Sequence, residues 1–143
     1  MIKNLEVNLD TKIKVSKTLV NNAVSLLKKK LDFEISSLII NFVSAAKITE
    51  INKRFLNHNY STDIITFSYS EVPKNLDSEI YISVDDAAGN AGKFKVTLKE
   101  ELLRLIIHGI LHLTGYDDKN SKDRAKMKLM ENKLLNSCKI ALL

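Results

Sequence analysis

The sequence predicts one α+β domain, in which a small mixed sheet of about four strands is packed with helices. Strand-like and helix-like segments follow one another in the order strand, helix, strand, helix, two strands and then helices. One segment, residues 98–114, is apolar on nearly every side, which is typical of a helix buried at the centre of a domain. The chain of 143 residues is long enough to form a single core, so we expect residues 1–143 to form one domain.

Four segments have the residue types and spacing of β-strands. Apolar residues recur at short intervals over residues 2–8, and residues 37–43 form a mostly apolar run. Residues 63–69 and 79–83 are rich in β-branched and aromatic side chains, which favour strands. The stretch 70–77 is polar and contains the single proline, so we predict a loop between the last two strands.

Four further helices accompany the central one. Apolar residues at helical spacing predict a helix over residues 17–31. Ser44 is suited to cap a second helix that runs to about residue 55. A third is expected over about residues 84–93, although two glycines weaken it. Ser121 is suited to cap a last helix that runs to about residue 137.

The central helix has signals at both ends. Thr97 and Glu100 have the spacing of a capping box, in which each side chain can satisfy a backbone N–H group of the first turn. Gly115 follows the last apolar residue and is suited to the left-handed conformation that commonly ends a helix. These signals predict a helix over residues 98–114 followed by a sharp turn.

The composition narrows the class of protein. The net charge of +5 suits a partner that carries phosphates, although lysines near helix ends also complement the helix dipole. Cys138 is the single cysteine, which fits a reducing compartment. We find neither a signal-peptide pattern nor an apolar run of about 18 residues, so we expect a cytoplasmic protein without a membrane partner.

Two histidines stand on the predicted central helix. His108 and His112 are four residues apart, so their rings share one helix face and can point at one ion. The turn at Gly115 can bring Asp117 or Asp118 to the same ion. Three protein ligands that leave one position open are typical of catalytic zinc. Such a pair can also arise by chance, but two unpaired imidazoles would be costly to bury in so apolar a helix.

The pattern differs from that of the common zinc peptidases. Those enzymes carry His-Glu-x-x-His, in which the glutamate serves as the general base. Here Gly109 stands in the glutamate position. The peptidase interpretation is therefore disfavoured, and an acidic side chain from elsewhere, such as Glu79, would have to reach the metal-bound water to revive it.

Residues 108–118, HGILHLTGYDD, carry a longer pattern. This segment resembles the signature of the YbeY family of metal-dependent endoribonucleases, His-Gly-x-Leu-His-Leu-x-Gly-Tyr-Asp-His, at every position except the last. Residues 52–67, NKRFLNHNYSTDIITF, are similar to a second family segment, and residues 76–83, LDSEIYIS, to a family strand. The resemblance extends from about residue 1 to about residue 137, judged by the order of the elements.

Three departures from the family pattern concern the site. Asp118 replaces the third histidine of the family, and since a carboxylate is also a good zinc ligand we assign ligation to it. Asp117 matches the aspartate of the family, and we assign it a supporting role behind the ligands. Leu56 stands where the family usually has an arginine that meets RNA, and Arg54 or His58 is a candidate substitute. The third departure is the glutamate at position 79 for an aspartate, which keeps the charge.

The resemblance implies a zinc-dependent endoribonuclease specific for single strands, with one Zn²⁺ per chain. It also implies a place in 16S ribosomal RNA 3′ end maturation and ribosome quality control in the bacterial cytoplasm. The expected partners are RNA and the ribosome or its small subunit, and we expect no DNA or membrane partner. The sequence leaves the oligomeric state open.

Further candidates for the site come with simpler alternatives. Thr62 and Asp63 match the family and are catalytic candidates together with Asp117, but they can equally begin a strand and satisfy its backbone. Tyr116 could stack on a base of RNA or pack in the core. Arg54 and His58 complete the RNA-binding candidates. The alternatives to a nuclease are a zinc metallopeptidase and a non-catalytic, ribosome-associated module with a structural metal.

Overall fold

Four strands and five helices make up the protein in the computed structural model, which describes residues 2–143. In chain order they are β1 (Leu5–Asp10), α1 (Lys17–Leu31), β2 (Glu34–Val43), α2 (Ala45–Leu56), β3 (Ile64–Ser68), β4 (Asn75–Ser83), α3 (Val84–Phe94), α4 (Leu98–Leu113) and α5 (Ser121–Leu142). The strands form one sheet in the order β1-β2-β4-β3. The β1, β2 and β4 strands are parallel and β3 is antiparallel to β4, so the predicted mixed sheet and α+β class are confirmed.

Several predicted boundaries are wrong, for three different reasons. The loop predicted over 70–77 ends earlier, because β2 and β4 pair in parallel from Glu34 and Asn75 onwards. The first strand begins at Leu5 and not at residue 2, since Asn4 has a φ of 68°, outside the range of a strand. The last helix is capped by Asn120, whose side chain accepts a hydrogen bond from the backbone N–H of Asp123 at 2.9 Å, and not by Ser121.

The α4 helix is the centre of the larger core. Ten of its residues are buried, and it packs against α1, α3, α5 and the sheet. At Gly109 an added Cβ atom would lie 3.0 Å from Ile64 Cδ1 and 3.2 Å from Ile80 Cδ1. Glycine therefore lets this helix approach β3 and β4 closely. The predicted helix over 98–114 is confirmed to within one residue at its end.

The two ends of α4 are held differently. At the beginning, the Thr97 hydroxyl accepts a hydrogen bond from the backbone N–H of Glu100 at 3.1 Å, as predicted. The Glu100 carboxylate lies 2.7 Å from Lys139 Nζ and so links α4 to the far end of α5. At the other end, Gly115 has a φ of 109° and reverses the chain direction. Both ends of α4 are thus defined by the residues that the sequence singled out.

The other face of the sheet carries α2 and a smaller core. Its buried members include Val43, Ile48 and Ile65, with Tyr81 packed against them. No helix within residues 2–143 has both the length and the apolar character needed to span a bilayer. The α4–α5 side of the sheet therefore holds most of the buried apolar surface, and it is the side that carries both predicted histidine ligands.

Candidate metal centre

The two histidines of α4 meet at their outer ring nitrogens. His108 Nε2 and His112 Nε2 are 3.2 Å apart, and both side chains are partly exposed. Their spacing of four residues places them on one face of the helix, as predicted. Two nitrogens bound to one tetrahedral zinc at 2.0–2.1 Å would lie about 3.3 Å apart. The pair is thus already spaced for a shared ion.

The turn after α4 brings a carboxylate to this pair. The backbone N–H groups of Gly115 and Tyr116 donate to the carbonyl oxygens of His112 and Leu111, which is the double hydrogen bond of a Schellman motif. The reversed chain places Asp118 Oδ2 at 3.9 Å from His112 Nε2.

One ligand atom from each of His108, His112 and Asp118 can be chosen so that all lie within 4.8 Å of one another. Two imidazoles and a carboxylate form a donor set that zinc accepts. The exposed Asp118 side chain would have to move closer to both histidines, because its oxygen lies 3.9 Å from His112 Nε2 and tetrahedral ligands are about 3.3 Å apart. The residues therefore fit a single metal ion with three protein ligands.

A buried glutamate from α5 supports His108 from behind. The Glu131 carboxylate accepts a hydrogen bond from His108 Nδ1 at 2.7 Å, and its side chain is only 2% exposed. A proton held on Nδ1 leaves the lone pair on Nε2, the nitrogen that faces His112. Carboxylate partners of this kind orient metal-binding histidines and increase their basicity.

Cations surround the buried carboxylates of this region. Arg104 donates two hydrogen bonds to Glu101, at 2.6 and 2.8 Å, and lies 3.6 Å from Glu131. Lys128 Nζ is 3.2 Å from Glu131 Oε2. Burial alone would raise the pKa of Glu131, but the hydrogen bond from His108 and the nearby positive charges outweigh it, so the pKa is lowered. The carboxylate that supports His108 is therefore ionised at neutral pH.

The local environment also keeps His112 neutral. Burial lowers the pKa of His112, and a positive charge on His108 would lower it further, while Asp118 acts in the opposite direction. The net effect is a pKa below the ordinary value. A neutral imidazole is the form that binds a metal. The lowered pKa therefore reduces the fraction of His112 that must lose a proton before a metal can bind.

The catalytic candidates lie in different surroundings. Asp63 accepts a hydrogen bond from Asn90 Nδ2 at 3.1 Å, and the same nitrogen lies 3.2 Å from Glu101. Asp63 is thus linked through Asn90 to the Arg104 network, while its neighbour Thr62 is half-buried. Asp117 accepts a hydrogen bond from the backbone N–H of Lys119 at 3.2 Å. This bond orients Asp117 within the turn, whereas Asp118 belongs to the group with the two histidines.

The RNA-binding candidates are spread over two regions. Arg54 lies over the Phe55 ring, with Cζ 5.5 Å from its centroid. The rings of His58 and Tyr60 are 5.1 Å apart in the segment after α2. Tyr116 is partly buried and packs against the larger core, which is the simpler of the two roles considered for it. Leu56 is 43% exposed at the end of α2.

The sequence interpretation missed the charged residues that surround the site. Arg104 stands four residues before His108 and so shares its helix face, a spacing that could have revealed it. Glu101 stands one turn earlier on the same helix. Glu131 and Lys128 had no such signal, because they reach His108 only through the packing of α5 on α4.

A family model described as Endoribonuclease YbeY matches residues 2–139 of the chain. The chain belongs to the YbeY family. A YbeY endoribonuclease from Cytophaga hutchinsonii is 40% identical over 113 residues, which cover 79% of each chain. One from Chlorobium phaeobacteroides is 37% identical over 131 residues, which cover 92% of each. The solution structure of a Thermotoga maritima protein matches with a TM-score of 0.66 and 28% identity, covering 94% of this chain and 88% of that one.

The geometry of this YbeY chain disfavours the peptidase alternative. Successive residues of a strand point to opposite sheet faces, and Ile80 faces α4, so Glu79 points away from the histidines. Its carboxylate accepts hydrogen bonds from the hydroxyl groups of Tyr69 and Tyr81, each at 3.0 Å. A glutamate in place of Gly109 would enter the apolar contact with Ile64 and Ile80. Neither Glu79 nor a glutamate at position 109 could therefore serve as the general base of a peptidase.

Proposed function

We propose that this YbeY-family chain is a zinc-dependent endoribonuclease specific for single strands. The observation that carries the proposal is the group formed by His108, His112 and Asp118, with three possible ligands and one position of a tetrahedral ion left free. The closed coordination expected of a structural zinc would need a fourth protein ligand, and this group has three members. The arrangement therefore favours a catalytic over a purely structural site.

The residues of the site have separate roles in this proposal. His108, His112 and Asp118 would hold one Zn²⁺ per chain, which would supply Lewis acidity towards a phosphoryl oxygen or lower the pKa of a water molecule. Glu131 holds the Nδ1 proton of His108 and so keeps Nε2 available. Arg104 neutralises Glu101 and Glu131, which would otherwise repel a phosphate.

The catalytic and RNA-binding candidates have supporting roles. We propose that Asp63, held by Asn90, and Thr62 form a polar part of the cleft wall, and that Asp117 orients the turn that presents Asp118. We propose that Arg54 and His58 contact RNA away from the reacting group, whereas Tyr116 packs against the core. The RNA would be 16S ribosomal RNA during 3′ end maturation and ribosome quality control, on the ribosome or its small subunit in the bacterial cytoplasm.

Metal analysis combined with an RNA cleavage assay tests the proposal. We expect wild type to hold one zinc per chain and to cleave a single-stranded RNA faster than the same strand in a duplex. His112→Ala and Asp118→Ala should lose both zinc and cleavage. His58→Ala is the matched control for metal content and should retain the zinc, because His58 lies outside the ligand group.

Three results would contradict parts of this proposal. Retention of zinc and activity by Asp118→Ala would make Asp117 the next residue to test as the ligand. Zinc-loaded wild type that leaves RNA intact but cleaves peptides would overturn the nuclease function. Wild type that cleaves synthetic RNA but leaves precursor 16S RNA in small subunits unprocessed would overturn the proposed biological substrate alone.

A further inference from the structure

A cavity of about 190 Å³ opens between α4 and α5 directly beside the proposed metal ligands. His108 and Asp118 line one side of it, and three cationic side chains, Arg104, Arg124 and Lys128, line the rest together with Met127 and Glu131. None of the lining residues comes from α2, the helix that carries Arg54. The cations that line this cavity are therefore those of α4 and α5.

Two of these cations are available to an incoming ligand. Arg104 is held by two hydrogen bonds to the buried Glu101 carboxylate. Arg124 is exposed and donates one hydrogen bond, at 3.3 Å, to the backbone carbonyl of Asp118. The Lys128 side chain is 61% exposed, and its Nζ lies 3.2 Å from Glu131 Oε2. Both exposed side chains keep further N–H donors free to bind an anion.

Helix geometry places the Arg124 and Lys128 side chains on the same face of α5. Arg124 and Lys128 are four residues apart on α5, so they share a face. Glu131, which hydrogen-bonds His108, lies on that face three residues further. Lys122 and Lys126 fall on the other side of α5, since each lies two residues from Arg124. The two pairs of cations thus lie on opposite sides of α5, and of these four only Arg124 and Lys128 line the cavity that contains His108 and Asp118.

The charged side chains that line the cavity favour an anion as its ligand. The side chains that line the cavity include three cations, Arg104, Arg124 and Lys128, and two carboxylates, Asp118 and Glu131. A divalent ion on the histidines and Asp118 would add further positive charge to this lining. Ammonium and guanidinium groups recognise phosphate groups without reading bases.

We propose that Arg124 and Lys128 bind a backbone phosphate of single-stranded RNA beside the metal ligands and thereby position the strand. The inference rests on the proposed nuclease function and assigns the phosphate contact nearest the metal to α5. Because these cations hold a phosphate in both the ground state and the transition state, their loss raises KM more than it lowers kcat. They carry no information on base identity, so the effect is the same on oligouridylate and oligoadenylate.

The test compares two double variants that have the same net charge. Arg124→Ala/Lys128→Ala removes the proposed contact, and Lys122→Ala/Lys126→Ala removes equal charge from the opposite side of α5. We expect the first to raise KM for single-stranded oligouridylate about ten-fold or more and the second to change it about two-fold or less. The slope of log KM against log salt should fall by about 0.7 for each lost contact in the first variant. Its zinc content should stay at the wild-type value.

A second probe separates binding from cleavage. Fluorescence anisotropy with a labelled 2′-O-methyl oligouridylate should show the same loss of affinity, and Arg124→Lys/Lys128→Arg should restore most of it. Equal KM increases in the two double variants would overturn the inference and leave the nuclease function standing. A KM increase in Arg54→Ala with none in the α5 variant would also overturn it. Wild type that neither binds nor cleaves RNA would overturn both the inference and the proposed function.

Discussion

The candidate metal centre has a helical part, His108 and His112 on α4, and a loop part, Asp118, and the two parts differ in how firmly packing holds them. His108 and His112 project from α4, and the Glu131 side chain that supports His108 is 2% exposed. Asp118 follows the turn at Gly115, and its side chain is 53% exposed. The histidine nitrogens are already at the spacing of shared ligands, whereas the aspartate must still move closer. The helical part is pre-organised by packing, and the loop part is adjustable.

This difference explains where the chain departs from the YbeY signature. Both histidines and the intervening Gly109 match the signature and lie in a close-packed environment. The substituted position, Asp118, lies in the turn, where its side chain is 53% exposed. Under the proposed ligation, a carboxylate would replace an imidazole there because the exposed turn would adjust its distance to the ion. Four predictions test this contrast.

The largest effect is expected from removing the buried Glu131 carboxylate, which accepts a hydrogen bond from His108. Glu131→Ala leaves Arg104 without one of its carboxylate partners and His108 without its acceptor. We expect the free energy of unfolding to fall by about 3–5 kcal/mol, measured by urea denaturation. We also expect zinc affinity to fall about 10–100-fold in a competition titration. Glu50→Ala, at an exposed carboxylate, is the control, and an equal loss of zinc affinity there would contradict the prediction.

The second-largest effect is expected at Gly115, in the turn that joins α4 to Asp118. Gly115 has a φ of 109°, which an alanine adopts at a cost of about 1–2 kcal/mol. We expect Gly115→Ala to lower the free energy of unfolding by that amount and to weaken zinc binding, since the turn positions Asp118. Gly89→Ala is the matched control, because an added Cβ there meets no atom within 4 Å and alanine favours the helix. A stabilised Gly115→Ala would show that the turn is not strained.

A smaller effect follows from the titration of His112 in the metal-free protein. Burial and the charge of His108 lower the pKa of His112 below 6.5, so the unfolded chain takes up this proton at a higher pH than the folded chain. The contribution to stability is present above the unfolded pKa and is lost as the pH falls through the folded pKa.

The measurement is urea denaturation with a chelator at a series of pH values. We expect wild type to lose stability on acidification below pH 6.5, the ordinary histidine value, and His112→Gln to lose less. Identical pH profiles for the two proteins would assign the dependence to another group.

The smallest effect is expected from restoring the family residue in the loop part. Asp118→His should change the free energy of unfolding by no more than about 0.5 kcal/mol, because the position is exposed. Zinc should remain bound at one per chain, since both side chains are suitable ligands. Loss of zinc in this variant would show that the turn is less adjustable than its exposure indicates.

The sequence alone determined the features that depend on neighbouring residues. The apolar character of residues 98–114, the Thr97 cap and the Gly115 turn each rest on contacts within a few residues, so they could be predicted in place. The same holds for the shared face of His108 and His112, because helix geometry sets it. The sequence also narrowed the third ligand of the expected site to two adjacent aspartates.

The features that depend on distant segments of the chain followed from tertiary packing. The pairing of Glu34 with Asn75 extended two strands beyond their predicted limits, since register depends on the partner strand. The approach of Glu131 to His108 and the direction of Glu79 away from it depend on how α5 and β4 pack around α4. Between Asp117 and Asp118, the path of the turn brought Asp118 to the histidines. These choices join residues far apart in the chain, and no local pattern of residue types contains them.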